Sequence, residues 1–163
     1  MEELRGMQQD PSAIAEKVIE IVDQNRSREG PLMPILNDVQ AEFGCVPAEA
    51  IRVIASELNF TRAEVHGVVS FYHDYRTHPA GRHVLKLCRA EACQSMHGDS
   101  LAERARALLG IDWHETTPDG SVTLEPVFCL GLCATSPSAM LDGRLIGRLD
   151  EAKLERIVEE VRS

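Results

Sequence analysis

The amino-acid sequence predicts an α/β (α+β) fold, with an N-terminal helical bundle followed by a domain that contains a small mixed sheet. Two observations support this prediction. Apolar residues in the first half recur at the three- and four-residue spacing of helices, whereas the second half alternates helical segments with short apolar runs typical of strands. The pattern changes at His78-Pro79-Ala80-Gly81. We therefore predict a helical segment of about four helices over residues 1–80 and a sheet-containing domain over residues 81–163.

The four helices of the first segment have recognisable ends. Asp10-Pro11 is typical of an N-cap followed by proline at the first helical position. A second helix is predicted from near Pro34 to just before Gly44, and a third from about Pro47. Thr61 with Glu64 forms the sequence pattern of a capping box for the fourth helix. The predicted buried face of this helix consists of Val65, Val68, Val69 and Tyr72.

The second half predicts the order strand, helix, strand, strand, strand, helix. The first strand is His83–Leu87, and a helix follows from about Asp99 to Leu109. A strand from Val122 passes through Pro126, and Asp142-Gly143 is a strong hairpin signal between two further strands. A last helix is predicted after Asp150. This order is that of a thioredoxin-like domain, in which loops at one end of a small sheet come together.

Four of the five cysteines form two pairs that follow predicted strand ends. Four residues separate Cys88 from Cys93, three separate Cys129 from Cys133, and thirty-five lie between the pairs. Loops that leave two neighbouring strands can place the four sulfurs around a common point. Thiolates are preferred ligands of iron–sulfur clusters and of zinc. These four cysteines are therefore candidate ligands of one shared metal site.

The spacing of the pairs helps to separate three possible sites. Structural zinc sites typically space each cysteine pair by two residues, and thiol–disulfide oxidoreductases favour two cysteines separated by two residues at a helix N-terminus. Neither pair here has that spacing, so an iron–sulfur cluster is favoured. A zinc-stabilised interaction module stays open as a function of another class. Cys45 is interpreted as a partly buried bystander, and His97 as a surface residue or an outer neighbour of the site.

Composition excludes several other functions. The formal net charge of −9 disfavours binding to nucleic acid or to an anionic membrane surface. No stretch approaches the ~18–20 apolar residues of a membrane-spanning helix, and the N-terminal sequence lacks the features of a signal peptide. We therefore expect a cytoplasmic protein without direct membrane insertion, in which reduced cysteines serve metal or redox chemistry rather than disulfides.

Several stretches together resemble the thioredoxin-like [2Fe-2S] ferredoxin family. They are CRAEACQSM and CLGLCATSP around the cysteine pairs, and EFGCVP and TRAEVHGVVSFYHDY in the helical half. The family includes the 24 kDa subunit of respiratory complex I, the matching subunit of NAD-linked hydrogenases and the gamma subunit of soluble NAD-dependent formate dehydrogenases. The CRAEACQSM stretch is most similar to the formate dehydrogenase subunit. His97-Gly98 departs from the family pattern, in which glycine commonly follows the methionine directly.

The resemblance implies one [2Fe-2S] cluster per chain, held by Cys88, Cys93, Cys129 and Cys133. It also implies an electron-transfer subunit that performs no catalysis alone and exchanges electrons with the flavin of a 51 kDa-type partner. FMN, NAD and molybdopterin are then expected only in partner subunits, which include a larger molybdenum or tungsten formate dehydrogenase subunit. The alternative implied by the same resemblance is the equivalent subunit of an NADH:quinone oxidoreductase or of an NAD-linked hydrogenase.

Overall fold

The computed structural model describes residues 10–162 and confirms the predicted mixture of helices and strands. The N-terminal sequence that argued against a signal peptide lies largely outside the described residues. The described chain divides into two compact units, one up to Pro79 and one from Ala80 onward. Within residues 10–162, no helix is both long enough and apolar enough to cross a membrane.

The first unit contains four helices, which are α1 Pro11–Asn25, α2 Leu32–Phe43, α3 Ala48–Leu58 and α4 Arg62–Phe71. Each helix contributes its apolar stripe to a shared core, because an amphipathic helix is stabilised mainly by burying that face. The residues fully buried in this core include Val18, Val22, Leu36, Val39, Ile54 and Val65.

The predicted caps are present at the helix ends. The side chain of Asp10 accepts a hydrogen bond from the Ser12 N–H at the start of α1. Both hydrogen bonds of the capping box between Thr61 and Glu64 are formed at the start of α4. Gly44 ends α2 with a φ of 73°, which glycine adopts without steric cost. The capping residues that were recognised in the sequence thus define these helix ends.

Two details of the first unit differ from the sequence prediction. Helix α2 begins at Leu32 rather than near Pro34, because a proline in the first turn removes an N–H that needs no partner within the helix. Tyr72 was predicted to be buried, but 45% of it is exposed. The helix ends at Phe71, and Tyr72 already has extended backbone angles, so the helical spacing no longer applies to it.

The second unit is built around a four-stranded sheet. Its strands are β1 His83–Cys88, β2 Val122–Val127, β3 Ala139–Leu141 and β4 Arg144–Ile146, in the spatial order β2-β1-β3-β4. Its helices are α5 Glu91–Ser95, α6 Gly98–Leu109 and α7 Glu151–Arg162, and a short 3₁₀ turn covers Cys133–Thr135. The sequence patterns did not predict α5, which is too short to show a helical period.

The pairing of the strands determines where their ends lie. Strands β1 and β2 are parallel, with Cys88 opposite Val127, whereas β3 runs antiparallel to β1, with Ala139 opposite Leu87. Pro126 is tolerated inside β2 because β2 is an edge strand. The ends of β1 and β2 and the start of β3 therefore lie at one edge of the sheet.

One face of this sheet is covered by helical side chains. Leu85 and Leu124 lie opposite each other on β1 and β2 and are fully buried. They belong to an apolar core that includes Leu101 and Ala105 of α6 and Leu154 of α7. This core supports the strands whose ends carry Cys88 and, two residues after β2, Cys129.

Candidate metal centre

The first cysteine pair lies on rigid elements at the carboxyl edge of β1. Cys88 is the last residue of β1, and its N–H donates to the Ser138 carbonyl at 3.0 Å. Cys93 lies in α5, and its N–H donates to the Ala90 carbonyl at 2.9 Å. Both cysteines are buried, with exposed fractions of 5% and 2%. The sulfurs of this pair are thus shielded from solvent.

The second pair lies on the loop that follows β2, and both of its cysteines are exposed. The sulfurs of Cys129 and Cys133 are 3.8 Å apart. The Gly131 N–H donates to the Cys129 sulfur at 3.3 Å. Cys129 has a φ of 118° and Gly131 a φ of 76°, so the loop reverses tightly around the first sulfur. Positive φ at a residue other than glycine is strained and is concentrated at functional sites.

Hydrogen bonds at Cys88 connect the two loops. Burial raises the pKa of the Cys88 thiol, but donors around its sulfur outweigh this effect and bring the pKa below its ordinary value. These donors are the backbone N–H groups of Ala90 and Leu130 and the side chains of Cys93 and Ser138. Leu130 belongs to the loop of the second pair. The loop after β2 therefore contacts the sulfur at the end of β1.

The other thiols show the effect of crowded sulfurs. Burial raises the pKa of the Cys93 thiol, and the neighbouring Cys88 raises it further. The pKa of Cys133 is raised first by its contact with Cys129 and then by the charges of Cys129, Cys93 and Cys88. The four sulfurs thus interact with one another. A bound cation would offset this repulsion, since metal binding removes protons from its thiol ligands.

The four cysteines fit a [2Fe-2S] cluster by their chemistry and by their arrangement in pairs. Four cysteines complete such a cluster, with two on each iron. Tetrahedral metal–sulfur bonds of ~2.3 Å place two ligand sulfurs ~3.8 Å apart, and this is the spacing of Cys129 and Cys133. Within residues 10–162, no group of three or more His, Cys, Asp or Glu side chains is arranged to hold a single metal ion.

Two further residues with predicted roles lie apart from these sulfurs in the chain. Cys45 is buried in the first unit, between α2 and α3, where burial raises the pKa of its thiol. His97 is exposed and adopts a φ of 65° immediately before α6. Both observations agree with the roles predicted for these residues.

Sequence patterns missed two residues at the site. Ser138 is 2% exposed, and its hydroxyl lies 3.5 Å from the Cys93 sulfur. Gly98 packs directly against the backbone of Cys93. The spacing of the cysteines gave no signal for Ser138, because its contact depends on the pairing of β3 with β1. The sequence did contain a signal for Gly98, which stands one residue later than the family pattern places its glycine.

Comparisons with known proteins identify relatives over most of the chain. NADP-reducing hydrogenase subunit HndA of Solidesulfovibrio fructosivorans is 28% identical over 150 residues, which cover 92% of this chain and 88% of the relative. NADH-quinone oxidoreductase subunit 2 of Thermus thermophilus is 34% identical, with 83% of this chain and 76% of the relative covered. An NADH-quinone oxidoreductase subunit from Mycobacterium bovis is 33% identical over 88% of this chain, which spans only 57% of that relative.

A solved structure has the same fold. The NAD⁺-reducing [NiFe]-hydrogenase in its air-oxidized state matches with a TM-score of 0.68 and 22% identity, over 80% of this chain and 22% of the hydrogenase chain. The likeness at this identity supports the fold, and the chain corresponds to a fraction of that longer protein.

The family match itself covers nearly all of the described residues. The model for the thioredoxin-like [2Fe-2S] ferredoxin matches residues 18–162. This match confirms the resemblance stated from the sequence motifs and the expectation of one [2Fe-2S] cluster as the cofactor. With two cysteine pairs at one edge of a thioredoxin-like sheet and relatives in NAD-linked oxidoreductases, the chain belongs to the thioredoxin-like [2Fe-2S] ferredoxin family.

Proposed function

We propose that this protein is the electron-transfer subunit of an NAD-dependent formate dehydrogenase complex and exchanges electrons with the flavin of a partner subunit. The observation that carries this proposal is the placement of Cys88, Cys93, Cys129 and Cys133 as two interacting pairs at one sheet edge. These four cysteines would hold the [2Fe-2S] cluster. When bound, the cluster supplies one-electron transfer without breaking bonds in a substrate.

The two cysteine pairs have different surroundings, which suggests where an electron partner approaches. Cys88 and Cys93 are buried, whereas Cys129 and Cys133 are exposed. Phe128, directly before Cys129, is 75% exposed. Exposed aromatic side chains are enriched at protein interfaces. We therefore place the flavin-bearing partner on the side of Cys129 and Cys133, where the distance to the cluster is shortest.

The backbone around the sulfurs supports a redox role for the site. N–H groups of Ala90, Leu130 and Gly131 donate to cysteine sulfurs on both sides of the site. Such donors stabilise the negative charge on thiolates and on the reduced cluster, and so help to set its potential. A purely structural zinc site would not need this control over a redox state. The same donors do stabilise zinc thiolates, so metal analysis is the deciding measurement.

Metal content tests the cluster directly. We expect the protein purified without oxygen to contain about two iron atoms per chain. Reduction should produce a paramagnetic signal, because one electron added to a two-iron cluster leaves an unpaired spin. Iron and zinc analysis with electron paramagnetic resonance (EPR) measures both. Stoichiometric zinc without iron in such a sample would instead support the zinc-stabilised interaction module.

The identity of the enzyme complex needs a separate experiment. The CRAEACQSM stretch favours formate dehydrogenase, whereas the relatives are subunits of a hydrogenase and of NADH-quinone oxidoreductases. The corresponding subunit of those enzymes is therefore the second candidate. Isolation of the native complex through a tag on this chain should recover a flavoprotein and formate-dependent reduction of NAD⁺ with molybdenum or tungsten present. Hydrogen-dependent activity with nickel, or quinone reduction, would select the second candidate.

A further inference from the structure

We propose that Ser138 is a positioning residue whose hydroxyl donates a hydrogen bond to the Cys93 sulfur and raises the reduction potential of the cluster. This inference rests on the proposed function, because it requires Cys93 to be a ligand. Ser138 lies immediately before β3, at the edge of the sheet where β1 ends. No pattern in the sequence connects it to the cysteines.

The backbone fixes Ser138 between the two cysteines of the first pair. Its carbonyl accepts the Cys88 N–H at 3.0 Å, and its own N–H donates to the Cys93 sulfur. Its hydroxyl oxygen lies 3.5 Å from the Cys93 sulfur, within the range of hydrogen bonds to sulfur. The same side chain is also a hydrogen-bond partner of the Cys88 sulfur. Small movements of the hydroxyl are thus restrained by main-chain contacts on both sides.

Ligation determines which group donates in this contact. Between a free thiol and a hydroxyl, either group can donate. A ligating cysteine is a thiolate and has no proton, so the Ser138 hydroxyl must be the donor. Hydrogen bonds to ionised groups are stronger than those between neutral groups. The contact is therefore strengthened when the cluster is present.

The surroundings leave the hydroxyl few other partners. Ser138 is 2% exposed. The narrow space beside it is lined in part by the side chains of Leu87, Leu101 and Leu149, and it has no room for a water molecule. These side chains cannot accept a hydrogen bond. Because a buried polar group without a partner is destabilising, the hydroxyl is held at the sulfurs.

The effect on the cluster follows from charge. Reduction adds one electron, so negative charge on the ligand sulfurs increases, and a donor aimed at sulfur stabilises the reduced state more than the oxidised one. Removing the hydroxyl should therefore lower the potential. We expect the ratio of reduced to oxidised cluster at a fixed potential to fall several-fold, up to about tenfold. For a one-electron centre, tenfold corresponds to about 59 mV.

The test compares three variants with the wild type in the full-length protein, using redox titrations followed by EPR. Ser138→Ala removes the hydroxyl, and Ser138→Val and Ser138→Thr form a pair of equal shape in which only threonine retains the donor. We expect lowered midpoints for the alanine and valine variants and a midpoint near the wild type for threonine. Equal midpoints for valine and threonine would overturn the proposal.

Two further outcomes are also decisive. Loss of the cluster from the alanine and valine variants, but not from the threonine variant, would support the contact, because valine and threonine differ only in the donor. Loss from all three would overturn it, since the hydroxyl would then have no separate effect. Failure of the ligand assignment is recognised independently: Cys93→Ser would then retain an unchanged cluster signal.

Discussion

Replacing Cys129 with serine is expected to abolish the [2Fe-2S] signal and to remove most of the iron from the protein. The cause is loss of one of four thiolates, since a hydroxyl is a much poorer ligand for iron in a sulfur-rich cluster. Cys129 is exposed and lies outside the apolar core, so the fold should be retained. Iron content, EPR on reduction and circular dichroism would together separate cluster loss from unfolding.

Cys45→Ser provides the matched control for this experiment. It makes the same chemical change at a cysteine that lies in the first unit and is buried there. We expect full iron content and an unchanged EPR signal from this variant. Thermal stability should fall modestly, because the substitution places a hydroxyl among apolar side chains. Similar loss of iron from both variants would show that the ligand assignment is wrong.

Features determined by local sequence could be predicted well. The Asp10 cap and the capping box of Thr61 and Glu64 depend on residues close in the chain, and both are formed. The hairpin signal at Asp142-Gly143 likewise corresponds to the turn between β3 and β4. Local hydrogen bonds of this kind form regardless of most of the remaining fold, so a short stretch of sequence is enough to identify them.

Features that depend on packing were harder to predict. Cys93 lies in a five-residue helix, where the chain is too short to show a helical period. Ser138 reaches the site only because β3 pairs with β1. The assignment of Tyr72 to a buried face failed because the helix ends one residue earlier. The sequence therefore indicated the four sulfurs, whereas the groups that orient them emerge only from tertiary structure.

The Gly98→Ala substitution should disturb the site without removing a ligand. A Cβ added at Gly98 would lie 2.5 Å from the carbonyl oxygen of Cys93 and 2.9 Å from its carbonyl carbon. Atoms cannot remain this close, and backbone cannot turn away as a flexible side chain can. We expect α5 and α6 to move apart near Cys93, at a cost of ~1–3 kcal/mol typical of overpacking. Lower iron occupancy and a lower melting temperature would report this.

Gly67→Ala separates the effect of contact from that of composition. Gly67 lies inside α4, and a Cβ at this position would meet no atom within 4 Å. Alanine in a helix interior is favoured over glycine by ~0.5–1 kcal/mol, so this variant should be slightly stabilised and fully loaded with iron. Gly98 begins a helix as well, and by propensity alone its replacement should also be favourable. A loss of iron only in Gly98→Ala would therefore arise from its contact with Cys93, whereas normal loading and stability in both variants would mean that the Cys93 backbone can shift without affecting the site.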